Sequence, residues 1–458
     1  MKRAVNLLDH SMIIFFAAAI VLGLCGAAAN KVNTLPLPWL IVSLGAAICL
    51  AAAVGLNRIE KYTKNLSVYD YRRFTALLCI ILFASQLITA IFVDFTPKND
   101  LSYVCTGAKN LILGNNIYEG LPDYHSDYFE CYPNNHMLFS VVYILYKIEY
   151  ALTGQMSDFL PTAVNILGLS ISYWLLCRCA EMIYQPSKAY ICAIRGMLFA
   201  PLVTYSAFFY TDSMAMPLVM AAAYFYLRFR KSGKISDIIF CGAFIGLGYK
   251  MKGSALVLLI AIIADMALRH CKAKSFAALV LPCAAVIKAI SFSAMRLLNI
   301  SSKALKEKAF PFVHWIMMSA DGRGGYNSDD FFYTRSFPGN EKVSADLSRL
   351  AEKLEAQGLT GFLGHLCNKV AYTWENITFM AGYFYKDSFT SPCFIFTSFF
   401  CHFTLMFSIL LSLVDSRKKG ADEAFVFRLS LFGLCLFLLI WETRCRYLIS
   451  FFPLFMLI

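Results

Sequence analysis

Charge is scarce in this 458-residue chain: Asp, Glu, Lys and Arg make up 15% of it, against roughly 25% in soluble proteins. That shortage excludes an ordinary water-soluble fold. A chain that is 59% hydrophobic has more apolar side chains than one aqueous core can bury, and it needs lipid as a second solvent. Several motifs are also missing. No Gly-x-Ser-x-Gly and no His-Glu-x-x-His occurs, which argues against a serine-hydrolase elbow and a zinc-protease helix. The stretch Gly322-Arg323-Gly324-Gly325-Tyr326-Asn327 lacks the Lys-Ser/Thr ending and the preceding strand of a nucleotide-binding loop. Cys177 and Cys179 have no second pair at zinc spacing. Asp329 and Asp330 stand together without further spaced ligands for a cation. No low-complexity linker and no internal repeat divides the chain, so residues 1–458 read as a single multi-pass membrane domain.

What is present is a series of apolar runs near the length that crosses a bilayer, roughly 20 residues. They cover 11–29, 36–56, 75–95, 160–177, 189–209, 212–228, 235–250, 253–268, 275–297, 390–413, 426–441 and 446–458. The expected fold is all-α and polytopic, with about 12 transmembrane helices. The first run follows Lys2 and Arg3 and is succeeded almost at once by another, which favours a retained helix over a signal peptide. Most cysteines lie inside these runs and read as small apolar residues. Cys105 and Cys131 share one loop and are candidates for a disulfide.

The net charge of +12 comes largely from short loops, which points to membrane topology and away from nucleic acid. Basic clusters occur at Arg58–Arg73, Arg178–Lys188, Arg228–Lys234, Arg269–Lys274 and Arg417–Arg428. All of these can lie in the cytoplasm only if His136–Thr153 does not cross the membrane. Two long loops then fall on the outer face, at 96–135 and 298–389. The first should carry a surface helix beginning at Asp100, with Tyr103, Ala108, Leu111 and Gly114 at helical spacing. The second should carry an amphipathic helix over Glu341–Gln357, ended by Gly358.

Ionisable groups at membrane boundaries are costly without a partner or a task. Asp94 and Asp100 flank the start of the first loop, and Asp100 could simply cap its helix. Glu130, Tyr132, Asn134 and Asn135 form a polar corner around Pro133. Asp212 begins a helix and could cap it or face a polar substrate. Lys252 lies at an outer turn, where snorkelling and phosphate binding are both open to it. Arg444 and Arg446 sit at another outer helix start, where they can grip a phosphate or pair with Glu442.

Taken in order, these motifs resemble the GT-C membrane glycosyltransferases. The likeness is to the family 39 type, relatives of protein O-mannosyltransferases and lipid A aminoarabinose transferases. That family carries an acidic Asp-Glu motif in its first outer loop, then a surface helix, then a His-Pro-Pro-Leu-like lead into the next helix. Here Asp100 matches the Asp and Leu101 replaces the Glu, while Tyr132-Pro133-Asn134-Asn135 stands at the His-Pro-Pro position. Tyr210-Thr211-Asp212-Ser213, Tyr249-Lys250-Met251-Lys252 and Arg444-Cys445-Arg446-Tyr447 resemble later family elements.

The resemblance implies a polyprenyl-phosphate-sugar donor used at the extracytoplasmic face of a bacterial plasma membrane. Asp100, with Asp94 second, would act as base on an acceptor hydroxyl of a polysaccharide, lipid or protein. Lys252, Arg444 and Arg446 would hold the phosphate. Asp212, Glu130, Tyr132, Asn134 and Asn135 would orient hydroxyls, and a divalent cation is a candidate cofactor. A transporter or flippase of lipid-linked sugars and a non-catalytic GT-C relative are the alternatives.

Overall fold

The computed structural model describes residues 2–34, 39–93, 95–385, 391–416 and 423–458. Among them every regular element is helical. The principal helices are α1 (Lys2–Thr34), α2 (Trp39–Tyr62), α3 (Val68–Phe92), α4 (Asp100–Leu113), α5 (His136–Thr153), α6 (Phe159–Ile183) and α7 (Pro186–Leu198). They continue with α8 (Thr211–Ser232), α9 (Ile235–Met251), α10 (Leu256–Leu268), α11 (Ala273–Leu298), α12 (Lys342–Trp374), α13 (Pro392–Ser416) and α14 (Phe425–Ile440).

Among the described residues, 6 helices are long and apolar enough to cross a membrane: α1, α2, α3, α6, α11 and α13. α10 and α14 are apolar but shorter. The expected total of about 12 full-length spans is therefore not reached as continuous helices. The run at 189–209 breaks after α7, where Pro201 starts a separate turn of helix. The run at 446–458 folds as a 3-10 turn, Cys445–Leu448, and one further turn, Phe452–Phe455, both buried in the bundle.

Contacts between helices fix their relative directions. Arg72 near the start of α3 bonds Glu181 near the end of α6, while Gln86 farther along α3 meets Ser170. The two helices are antiparallel, so the chain leaves α3 and re-enters α6 at the same end of the bundle. The stretch between them, in which α4 packs along α5, begins and ends at that end. α9 and α11 run parallel in close contact. An added Cβ on Gly242 would lie 2.1 Å from the Leu279 carbonyl oxygen, and one on Gly246 would lie 2.7 Å from that of Cys283. Two glycines four residues apart let the backbones approach, the small-xxx-small device of membrane helices.

The opposite end of the bundle is basic and ion-paired. It carries Arg72 and Arg178 on Glu181, Arg228 on Asp237, and Arg269 on Asp265. Arg428 departs from its expected place in a cytoplasmic loop. It is buried in α14 and bonds Asp9 of α1 at 2.6 Å and 3.1 Å. Arg417, Lys418 and Lys419 lie outside the described residues.

The two expected surface helices are present. α4 begins at Asp100 and ends on Gly114, whose φ of 78° is left-handed. α12 kinks at Gly358, with φ 59° and ψ 179°, where the amphipathic helix was expected to stop. Only glycine adopts that combination at low cost.

Candidate functional site

Asp100 opens α4 directly after Asn99, and no side chain caps the helix. The Asp100 carboxylate turns to two phenols instead. Tyr128 OH donates to Oδ1 at 2.9 Å and Tyr210 OH donates to Oδ2 at 3.0 Å. Asn135 Nδ2 donates in turn to the Tyr128 hydroxyl at 2.6 Å. Burial, and then the Asp100 charge, hold both phenols far above their ordinary pKa. They remain protonated and fix the orientation of the carboxylate, while Asp100 itself stays half-exposed.

Asp212, in the first turn of α8, is fully buried and does not cap the helix, whose N-cap is Tyr210. It accepts from Lys252 Nζ on Oδ1 and from Arg446 Nη1 on Oδ2, the latter at 2.7 Å. One carboxylate therefore sits between two cations, leaving a net positive charge. A buried charge without a partner costs several kcal/mol, so Asp212 is what lets the cations stay where they are. Burial lowers the pKa of Lys252, against the pull of Asp212. Burial would also lower that of Arg446, but Asp212 and neighbouring tyrosines hold it well above its ordinary value.

Tyr210 joins the two halves. Its hydroxyl serves Asp100, and its ring lies 4.9 Å from the Arg446 guanidinium carbon. The Tyr447 ring lies 4.2 Å under the Lys252 ammonium. Arg446 Nε is buried without a hydrogen-bond partner among the described residues, as is Asn135 Oδ1.

The segment carrying Arg444 and Arg446 is held from outside by the second long loop. Lys369 Nζ donates to the Trp441 carbonyl at 2.9 Å and to Ser319 Oγ at 3.1 Å. Thr443 N–H donates to the Gly324 carbonyl at 2.8 Å. The glycine-rich stretch at Gly322–Gly325 is therefore a strut under this segment. Gly324 has φ 74° and packs on the Lys369 stem, where a Cβ would approach to 2.7 Å.

The structure brings Asp100, Asn135, Asp212, Lys252 and Arg446 into one connected cluster. Tyr132 is buried at its edge against Phe310, 5.3 Å between ring centroids. Arg444 flanks it, paired with Glu442 at 3.3 Å. Glu130 belongs elsewhere: it accepts from Tyr118 OH and lies 3.7 Å from Lys308, beside the Asp127–Arg335 pair. Asn134 is exposed and takes no part. Asp94 lies outside the described residues. Tyr128, Tyr210 and Tyr447 are contributors to which no role was assigned, although Tyr210 and Tyr447 stood in quoted motifs, and Glu442 pairs with Arg444 as the sequence offered.

Cys105 and Cys131 are free thiols, and Cys131 bonds Asp127 at 3.6 Å. Among the described residues no three His, Cys, Asp or Glu side chains gather to hold a metal ion.

A bundle of apolar helices with a polar, ion-paired cluster at one end defines an integral membrane protein with a built site. The model of a family described as conserved hypothetical integral membrane proteins matches residues 11–388, and the chain belongs to that family. Asp100, Asp212 and Lys252 fall within the matched residues, while Arg444 and Arg446 lie beyond them. No curated protein matches the chain.

Proposed function

We propose that this protein is a membrane glycosyltransferase that moves a sugar from a polyprenyl-phosphate donor to an acceptor hydroxyl at the outer face of a bacterial plasma membrane. The observation that carries the reading is the juxtaposition of a tyrosine-oriented, half-exposed Asp100 with the Lys252–Asp212–Arg446 cluster. One part suits proton abstraction and the other suits a departing phosphate. The ion-paired basic end opposite the cluster supports an outward-facing site, by the positive-inside rule. The motif order that resembles the GT-C transferases supports the same reading.

In the reaction, the acceptor oxygen attacks the anomeric carbon as its proton passes to the Asp100 carboxylate. The bond from that carbon to the phosphate oxygen breaks, and the electron pair leaves with the polyprenyl phosphate. Lys252 and Arg446 stabilise the charge gathering on that oxygen, with Arg444 close by. Asp212 keeps the two cations in position without cancelling them. Asn135 acts through Tyr128 as a positioning residue. Inversion at the anomeric carbon is the expected stereochemistry for one direct displacement.

Transport of lipid-linked sugars would use similar cations, but transporter sites lie near the bilayer midplane, and this cluster lies at the bundle end. The test is transfer of label from a panel of radiolabelled polyprenyl-phosphate sugars to crude envelope by protein in nanodiscs. Label in a lipid-free or modified product supports the transferase. Label that crosses sealed vesicles still attached to its lipid supports transport instead.

A further inference from the structure

A cavity lies near the cluster. It has a volume of about 240 Å³ and is lined by Tyr372, Glu375, Asn376, Thr378, Met380, Tyr383 and Cys445. Two of its walls are shared with the site already described. Tyr383 OH accepts from Asn99 Nδ2 at 3.0 Å, and the Tyr383 carbonyl accepts from Lys98 at 3.2 Å, so one wall is tied to the residue that precedes Asp100. Cys445, in another wall, lies between Arg444 and Arg446. The cavity is therefore walled by residues tied to the segment that leads into Asp100 and by the segment that carries Arg444 and Arg446.

Its surface is apolar in the larger part, from the tyrosine rings, Met380 and Cys445, with a carboxamide, a carboxylate, two phenol hydroxyls and a Thr hydroxyl set among them. The Glu375 charge is matched at the rim by Arg323, 3.2 Å away, whose guanidinium also lies 4.9 Å from the Tyr372 ring centroid. The space inside is thus amphipathic and close to neutral. The volume is below the roughly 300–1,000 Å³ of sites that enclose a drug-sized ligand, and it suits one ring of a larger molecule. Aromatic faces beside amide and hydroxyl groups are the chemistry that recognises a saccharide, with an apolar ring face and equatorial hydroxyls to satisfy.

We infer that this cavity binds the terminal sugar ring of a carbohydrate acceptor and holds its hydroxyl toward Asp100. The inference rests on the transferase reading and narrows its acceptor to a saccharide, in preference to a protein or a simple lipid. Asn376 is the frame of the cavity: its Oδ1 accepts from Thr378 N, Thr378 Oγ1 and Met380 N. Thr378 is the residue to change, because Asn376 holds the local turn while Thr378 projects a small side chain into the space.

The experiment uses the full chain in nanodiscs and Thr378→Trp, with Tyr372→Ala as a second variant that enlarges the cavity without filling it. One arm follows donor breakdown by water and transfer to envelope saccharide separately. The expected result is a tenfold or greater loss of transfer in Thr378→Trp, with donor hydrolysis within twofold of wild type. Equal transfer in wild type and Thr378→Trp overturns the inference. Loss of both activities in folded Thr378→Trp, with Tyr372→Ala showing the same pattern, also overturns it by assigning the cavity to the donor.

A second arm needs no turnover. Di- to tetrasaccharides released from crude envelope by mild acid are added at millimolar concentration, and thermal unfolding is followed. A rise of 2 °C or more for wild type, absent in Thr378→Trp, supports the cavity even if no donor is turned over, which is the result that would count against the transferase reading alone. No rise for either protein overturns the saccharide assignment.

Discussion

At the scale of single residues, a carboxylate at a helix start usually has a backbone N–H to satisfy. Asp100 and Asp212 both stand at such starts, and neither spends its oxygens that way. For Asp212 the difference is measurable. Loss of a capping carboxylate costs about 1 kcal/mol, whereas removing one member of a buried ion pair costs about 3–5 kcal/mol. Asp212→Ala is expected to fall in the larger range, because it strands Lys252 and Arg446 together, and chemical or thermal unfolding in nanodiscs reads the difference. A loss near 1 kcal/mol would mean that the cations are stable without it. Asp100, Asp212, Lys252 and Arg446 were legible in the sequence because each ionisable group interrupts or borders an apolar run. The tyrosines were not. Tyr at a membrane boundary is the ordinary belt residue, so nothing in the pattern marked Tyr128, Tyr210 or Tyr447 as hydrogen-bonding or ring partners. Glu130 was misassigned for a different reason: Tyr128–Cys131 is a single turn of helix, and which way each residue faces depends on tertiary contacts.

At the scale of elements, helix periodicity and glycine placement carried well. α4 with its Gly114 ending, and the first half of α12 with its kink at Gly358, follow from the spacing of apolar residues and from left-handed backbone at the two glycines. The α9–α11 contact was written in the sequence as Gly242 and Gly246, but that spacing does not name the partner helix. Gly242→Leu is expected to push α9 from α11, displace Lys252 at the end of α9, and lower the yield of folded protein severalfold. Monodisperse, wild-type behaviour in gel filtration would contradict that close approach. In the second long loop, Asp346 is fully buried in α12 and accepts from Thr334 Oγ1 at 2.5 Å. Burial pushes its pKa up to about 6, from an ordinary 3.8. An acid with a raised folded pKa gives stability that is full below its unfolded value and lost as pH rises through the folded value. Wild type should therefore lose thermal stability between about pH 4 and pH 6 through this group. Asp346→Asn should flatten that part of the profile, and an unchanged slope in the variant would rule the group out.

At the scale of the whole molecule, charge counting did not give the continuity of the spans. The runs at 189–209 and 446–458 are apolar because they are buried in protein, at Phe199, Phe208, Phe452 and Leu457 among others. Hydropathy does not distinguish burial in protein from exposure to lipid, and the proline at 201 was the one local sign of a break. The proposed orientation predicts opposite labelling of two exposed positions. A membrane-impermeant maleimide should modify Asn134→Cys in intact cells above the wild-type background. It should reach Lys234→Cys only after permeabilisation. The reverse pattern would turn the site toward the cytoplasm and remove the basis for an outer-face transferase.

The account as a whole turns on Asp100 as the proton acceptor. The measurement that tests it most directly is the single-turnover rate of sugar transfer by wild type and Asp100→Asn, each shown folded by thermal unfolding. General-base catalysis contributes about 10²–10⁴-fold. The account predicts a loss in that range, with unfolding temperature and donor binding close to wild type. A folded Asp100→Asn protein that transfers sugar at the wild-type rate would contradict it.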